Sequence, residues 1–216
     1  MSPSGTADLI VIAKEPVPGL VKTRLTPLYT PAEAAALAEA SLRDTLAAVA
    51  AAPAGRRTLA LAGAPGPWLP DGFTVLAQRG SGLDERLAAA FADAWAGRPL
   101  VLIGMDTPQV TPALLARAAR ELRRRDAVLG PASDGGFWLL GLRRPDPRLL
   151  RGVPMSRPDT GAVQLARLRG AGLDTGLLPE LTDVDTPADA HAVAALAGGG
   201  RFAATLRGLG FRTVPA

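Results

Sequence analysis

Leu100-Val101-Leu102-Ile103-Gly104-Met105-Asp106-Thr107-Pro108 decides the fold. Leu100–Gly104 carries no polar side chain, so it reads as a strand without a wet face. Such strands sit in the middle of mostly parallel sheets that are covered on both sides. The run then meets a carboxylate and a proline. A carboxylate at the end of a buried strand is costly unless it opens into a cleft or holds a metal. The carboxyl ends of the strands are where open α/β sheets bind their ligands. Asp106 is a hard oxygen ligand suited to Mg²⁺ or Mn²⁺. The same residue also fits a simple turn before Pro108.

Outward from this strand, sheet-like and helical segments alternate. Strands are expected at Leu9–Ala13, Thr58–Ala62, Phe73–Ala77, Ala127–Gly130, Phe137–Leu142 and Asp174–Leu178. Helices are expected at Pro31–Ala51, with Thr30 as N-cap, at Leu83–Ala96, stopped by Gly97, and at Thr111–Arg125, where Pro112 occupies the first position. Others follow at Asp159–Ala171, Pro187–Ala197 and, after Gly198-Gly199-Gly200, Phe202–Leu209. This alternation implies an α/β fold, a mostly parallel sheet with helices on both faces. There is no repeat and no long linker. Residues 1–197 therefore read as one domain, and residues 198–216 as a tail with a short helix.

Composition excludes several function classes. The chain has 216 residues, 48% hydrophobic, which is incompatible with wholesale disorder. It has no cysteine, so disulfides, zinc–thiolate sites, iron–sulfur clusters and a Cys nucleophile are all excluded. The one histidine, His191, lies in an Ala-rich helical run and suits neither a catalytic triad nor a multi-His metal site. Net charge is +4, but the arginines are scattered and aromatics make up only 4%, unlike a nucleic-acid-binding stripe. No run approaches the ~18 apolar residues of a membrane span. A leader-like N-terminus is absent as well, and the expected location is cytoplasmic.

Four loops hold the unusual chemistry. Ala13-Lys14-Glu15-Pro16-Val17-Pro18-Gly19-Leu20-Val21-Lys22-Thr23-Arg24-Leu25 contains both lysines of the chain. It is neither a Walker A loop nor G-x-G-x-x-G, yet its cations and backbone N–H groups suit a polyphosphate. The second loop holds Asp106. In the third, Ser133-Asp134-Gly135-Gly136, the residues make either a tight turn or a close approach for a second substrate. In the fourth, Leu181-Thr182-Asp183-Val184-Asp185-Thr186-Pro187, an extended backbone puts Asp183 and Asp185 on one side. Thr186 can cap the following helix, and one aspartate is a candidate second metal ligand. Gln78-Arg79-Gly80-Ser81-Gly82-Leu83-Asp84-Glu85-Arg86 either only caps a helix, through Ser81 or Asp84, or borders a nucleotide base.

In this order the segments resemble the bacterial rSAM/selenodomain-associated transferases, also called arsenosugar-biosynthesis glycosyltransferases. That family's pattern runs A-K-x-P-x-P-G-x-V-K-T-R-L, G-x-D-x-P, G-P-x-x-D-G-G-[YF]-x-L-[LI]-G-L and D-V-D-T. The counterparts here are 13–25, 104–108, 130–142 and 183–186. The resemblance implies a GT-A-like nucleotide-diphospho-sugar transferase fold, similar to 2-phospho-lactate and molybdenum-cofactor guanylyltransferases. It implies Lys14, Lys22 and Arg24 on the nucleotide phosphates; Ala13 and Gly19 of the same segment, with Gln78 and Gly80, are further nucleotide-site candidates. Asp106 and Asp185 would hold Mg²⁺ or Mn²⁺. Asp134, Gly135, Gly136 and Phe137 would line the acceptor pocket, and Asp106, Asp134 and Lys22 would be the catalytic groups. Met155-Ser156-Arg157 departs from the family's Trp-Ser-Thr, and Phe137-Trp138 replaces a pair that is often tyrosine. The expected reaction is nucleotidyl transfer from an NTP to a small phosphorylated metabolite, with release of pyrophosphate. Glycosyl transfer from a nucleotide sugar is the alternative, and a catalytically silent nucleotide-binding module is the reading from another class. The expected partners are small molecules, with neither nucleic acid nor membrane.

Overall fold

The computed structural model describes residues 6–26, 28–196, 199–210 and 212. Seven strands form a single sheet: β1 (Asp8–Lys14), β2 (Arg57–Ala62), β3 (Thr74–Ala77), β4 (Leu100–Gly104), β5 (Ala127–Pro131), β6 (Phe137–Leu142) and β7 (Thr175–Leu177). Their order is β3-β2-β1-β4-β6-β5-β7. Every pairing is parallel except those of β6, which runs antiparallel to β4 and β5. The reversal follows from the short Ser133–Gly136 turn, which cannot carry the long crossover that parallel neighbours require.

The apolar strand β4 is the middle strand, as its sequence requires. Val101 and Ile103 pack on one face beside Leu42, Leu46 and Leu115. Leu100 and Leu102 pack on the other beside Phe91 and Leu140. The helices are α1 (Pro31–Ala51), α2 (Leu83–Ala94), α3 (Pro112–Glu121), α4 (Thr160–Gly170), α5 (Pro187–Leu196) and α6 (Arg201–Leu209). Thr30 and Glu33 form a reciprocal capping box on α1, and the Thr111 hydroxyl caps α3. The chain leaves β1 toward β2 and leaves β4 toward β5, on opposite sides. The crevice between β1 and β4 is therefore the switch point at which such sheets bind ligands.

Helices α2 and α3 end two or more residues short of the sequence expectation, and α4 is one residue shorter at each end. Helix α3 stops at Glu121 rather than Arg125, because the chain turns there to enter β5. Arg125 braces that turn with ion pairs to Asp174 (2.7 Å) and Glu121 (3.2 Å). Helix α2 stops at Ala94, and Gly97 adopts a positive φ three residues later.

Helix α6 docks on α1 and α5. Asp44 of α1 accepts the backbone N–H groups of Arg201 and Phe202 at 3.0 and 2.9 Å, satisfying free donors at the start of α6. Phe202, Ala203 and Leu206 are buried with Leu37, Val193, Leu25 and Val184. Arg212 pairs with both oxygens of Glu33 (2.9 and 2.7 Å) and lies over the Tyr29 ring. Ala197 and Gly198, the end of one expected helix and the start of the glycine break, lie outside the described residues. The Phe202→Ala variant should lose about 3–5 kcal/mol of stability in urea unfolding. A loss below about 1 kcal/mol would show that α6 adds little to the core.

Candidate active site

The crevice above β1 and β4 widens into a cleft of about 710 Å³. Lys14 comes to it from the end of β1, Lys22 and Arg24 come from the loop that follows, and Asp106 comes from the loop after β4. Asp183 and Asp185 arrive on the segment that precedes α5. That segment is held on several sides. Leu181 pairs with the end of β5 through Pro131 and Ser133, and the Gln109 amide donates to the Thr182 carbonyl at 2.7 Å. The Val184 N–H donates to the Asp106 carbonyl at 2.9 Å. The Val184 side chain is buried against α6, so its two neighbours turn the other way, into the cleft. Ser41 of α1 fixes the Asp106 loop through a 2.7 Å bond to the Met105 carbonyl.

At the centre sits Lys22. Its ammonium is 2.6 Å from Asp106 and 3.4 Å from Asp185, and it also donates to the Val184 carbonyl. The Lys22 side chain is only 7% exposed, while Asp106 and Asp185 are each more than a third exposed. Burial lowers the Lys22 pKa, but the charge and hydrogen bond of Asp106, then Asp185 and Asp183, outweigh it and raise it. Lys22 therefore stays charged, and protein oxygens occupy all three of its donors. Arg24 reaches Asp185 at 3.3 Å from the solvent side. Lys22 itself has a left-handed backbone (φ 49°), which turns the loop inward just before a 3₁₀ turn at Thr23–Leu25.

Asp183 is the group that sequence reasoning underrated. Its carboxyl is pushed up to about 7, first by burial and then by the charges of Asp106 and Asp134, with Lys22 acting in the opposite direction. Its Oδ1 is buried without a hydrogen-bond partner among the described residues. The period-two spacing of Asp183 and Asp185 was the visible signal. The burial of the first carboxyl depends on the packing of Val184 and could not be read.

The remaining expected residues divide. Gln78 lines the cleft, and its amide nitrogen donates to the carbonyls of Ala13 (2.7 Å) and Ala60 (2.9 Å). Those two acceptors fix the amide orientation and leave its oxygen free to receive a donor. Asp134, Gly136 and Phe137 line the cleft too, and Asp134 Oδ1 accepts the Gly136 N–H at 2.8 Å. Gly135 is not on the wall but behind it, packed on the Pro158 carbonyl. Gly19 and Gly80 also lie off the wall, both with positive φ. Each shapes a loop instead of presenting a surface. Trp138 is buried, with its indole N–H on the Pro179 carbonyl (3.1 Å). The Thr186 hydroxyl and the Asp189 carboxylate cap α5 reciprocally, which leaves Asp185 to the cleft. Arg86, Met155, Ser156 and Arg157 complete the lining.

The family described as "Uncharacterized protein conserved in bacteria (DUF2064)" matches residues 35–157, more than half of the chain. The protein belongs to the DUF2064 family. That match contains Asp106 and Asp134 and stops short of the D-V-D segment. The 3-phospho-D-glycerate guanylyltransferase of Phenylobacterium zucineum (strain HLK1) is 34% identical to this DUF2064 protein, over 80% of this chain and 84% of that one. A crystal structure from Desulfovibrio desulfuricans G20, provisionally described as a nucleotide-diphospho-sugar transferase, superposes with a TM-score of 0.83 at 28% identity, covering 94% of each chain. The 2-C-methyl-D-erythritol 4-phosphate cytidylyltransferase of Thermus thermophilus shares the fold, with a TM-score of 0.55 at 18% identity over 89% and 98% of the two chains. The fold is thus that of the nucleotide-diphospho-sugar transferases. Among the described residues no helix is long and apolar enough to cross a membrane.

The raised Asp183 pKa carries a stability consequence with a definite sign. The folded state holds a proton that the unfolded chain releases near pH 3.8, so stability falls as pH rises from there toward about 7. In EDTA, Asp183→Asn should flatten this slope in melting curves taken from about pH 4 to pH 8. Parallel wild-type and variant profiles would show that Asp183 does not titrate in that range.

Proposed function

We propose that this DUF2064 protein is a guanylyltransferase. In this reading it moves GMP from GTP to the phosphate of a small phosphorylated acid of the 3-phosphoglycerate kind and releases pyrophosphate. The observation that carries it is the meeting of the cationic 14–24 loop with Asp106 and Asp185 at the β1–β4 switch point. The guanylyltransferase relative at 34% identity supports the choice of reaction.

The chemistry balances without a protein nucleophile. An oxygen of the acceptor phosphate attacks the α-phosphorus and forms a new P–O bond. The bond to the β-phosphate breaks, and its electron pair leaves with pyrophosphate. Catalysis is then positioning and charge neutralisation. Lys14 and Arg24 receive the β- and γ-phosphates. The free Gln78 oxygen suits the N1–H and exocyclic amine of guanine.

Among the described residues no set of three or more acidic, His or Cys side chains forms a complete metal site. The donors present still fit a divalent ion. Asp106 and Asp185 offer hard oxygens, Asp183 adds an orphaned buried oxygen, and Mg²⁺ commonly takes only one or two carboxylates besides substrate phosphates. We assign Asp106 and Asp185 as the residues that hold Mg²⁺ or Mn²⁺, which when bound offsets the charge on the triphosphate and the departing pyrophosphate. Lys22 occupies the same carboxylates, so its ammonium has to leave Asp106 before it can reach a phosphate.

Glycosyl transfer is the second reading, favoured by the description of the Desulfovibrio neighbour. A pyrophosphate-release assay with GTP and 3-phosphoglycerate separates the two. Mg²⁺-dependent release supports guanylyl transfer. Consumption of a nucleotide sugar with no pyrophosphate from any NTP would replace it. Asp106→Asn should lower kcat/KM by roughly 100-fold or more. Lys22→Met should bind Mn²⁺ more tightly than wild type without nucleotide, as read by electron paramagnetic resonance, because the competing ammonium is gone. Equal affinity would remove Lys22 from that competition.

A further inference from the structure

The wall of the cleft on the β6 side is built with unusual care. Strand β6 neighbours β4 on the side away from β1, so this wall lies across the acid cluster from the 14–24 loop. Phe137 opens it, and the loop before α4, residues 154–160, completes it with Met155, Ser156, Arg157 and Thr160. That loop is locked at both ends. Ser156 holds a left-handed backbone (φ 58°) without being glycine, a conformation that persists only where the surroundings impose it. The buried Thr160 hydroxyl donates to the Pro154 carbonyl (2.8 Å) and accepts the Arg157 N–H (3.1 Å). The Gly161 N–H donates to the Gly135 carbonyl at 2.7 Å. A Cβ on Gly135 would strike the Pro158 carbonyl, and one on Gly161 would strike the Gly136 carbonyl. The loop and the Asp134–Gly136 turn are therefore clasped backbone to backbone.

The clasp presents one cation. Arg157 pairs with Asp159 through its Nε (3.0 Å) and one terminal nitrogen (3.1 Å). Its other terminal nitrogen carries no protein hydrogen bond among the described residues. Among the described residues Arg157 is the sole cation lining this wall; it pairs with Asp159 and shares the cleft with Asp134. The other cleft cations lie elsewhere: Lys14, Lys22 and Arg24 on the 14–24 loop, and Arg86 on α2, tied to the Gly80 carbonyl. This wall offers an acceptor whose phosphate points at the nucleotide a surface for the rest of its body.

We propose that Arg157 is the anion site for a second acidic group of the acceptor, a carboxylate, and that the clasped loop thereby selects phosphorylated acids over phosphorylated alcohols. The assignment rests on the guanylyl-transfer reading and deepens it. A planar guanidinium matches a carboxylate through paired N–H donors. A site built to hold such a group also rejects analogues that lack it.

The test uses GTP with two acceptors that share a phosphate, 3-phosphoglycerate and glycerol 3-phosphate, on wild type and Arg157→Gln. Wild type should favour 3-phosphoglycerate. The variant should raise its KM by roughly 10- to 100-fold. The KM for GTP and the rate with glycerol 3-phosphate should not move, which a folding defect would not reproduce. Undiminished preference in the variant overturns the assignment. If wild type turns over neither acceptor, the guanylyl-transfer reading fails, and calorimetric titration of 3-phosphoglycerate decides the subsite alone. Binding that weakens in Arg157→Gln sustains it, and equal or absent binding in both proteins overturns it.

Discussion

A lysine ammonium buried among aspartates is the interaction on which the rest of this structure depends. Lys22 is nearly inaccessible to water, and an unpaired charge there would be prohibitive. It is tolerated because Asp106 and Asp185 converge on it from loops far apart in sequence. The convergence has its own requirements. The Lys22 backbone must turn left-handed, Val184 must bond back to the Asp106 carbonyl, and Ser41 must hold the Asp106 loop from below. Leu25 and Val184 anchor two of these loops in the same apolar cluster as Phe202 and Leu206. Helix α6, which packs on α1 and α5, thereby supports the charges at the centre of the cleft.

The cleft has a division of labour that follows from strand order. The loop after β1 supplies cations and Gln78 supplies a fixed acceptor. The loops after β4 and before α5 supply carboxylates, and the β6 side supplies a clasped wall that carries Arg157. The antiparallel strand β6 makes this possible. Its hairpin brings the Asp134–Gly136 turn to the same end of the sheet as the carboxyl ends of β4 and β5.

Much of this was legible in the residues. The unbroken apolarity of Leu100–Gly104 placed it at the centre of the sheet, and α1 spans Pro31–Ala51 because Thr30, Pro31 and Glu33 spell a start signal. The gathering of both lysines after β1, and of Asp106 after β4, marked the end of the sheet that carries the cleft. Gly19 and Gly80 were legible as loop-shaping glycines, whereas Gly135 was not legible as the point where two backbones meet. A glycine that lines a ligand and one that lets two backbones meet look alike without their neighbours.

The sequence by itself determined the alternation of strands and helices, the parallel core and the side of the sheet on which chemistry collects. These follow from local hydrophobic periodicity and from the cost of burying charge. Only the tertiary structure decided that Lys22 spends its donors on Asp106, Asp185 and the Val184 carbonyl, that Asp183 has a buried carboxyl oxygen and a raised pKa, and that Arg157 pairs with Asp159 on the far wall. Those outcomes depend on desolvation and on contacts between residues many positions apart, and neither quantity is written in any local stretch of chain.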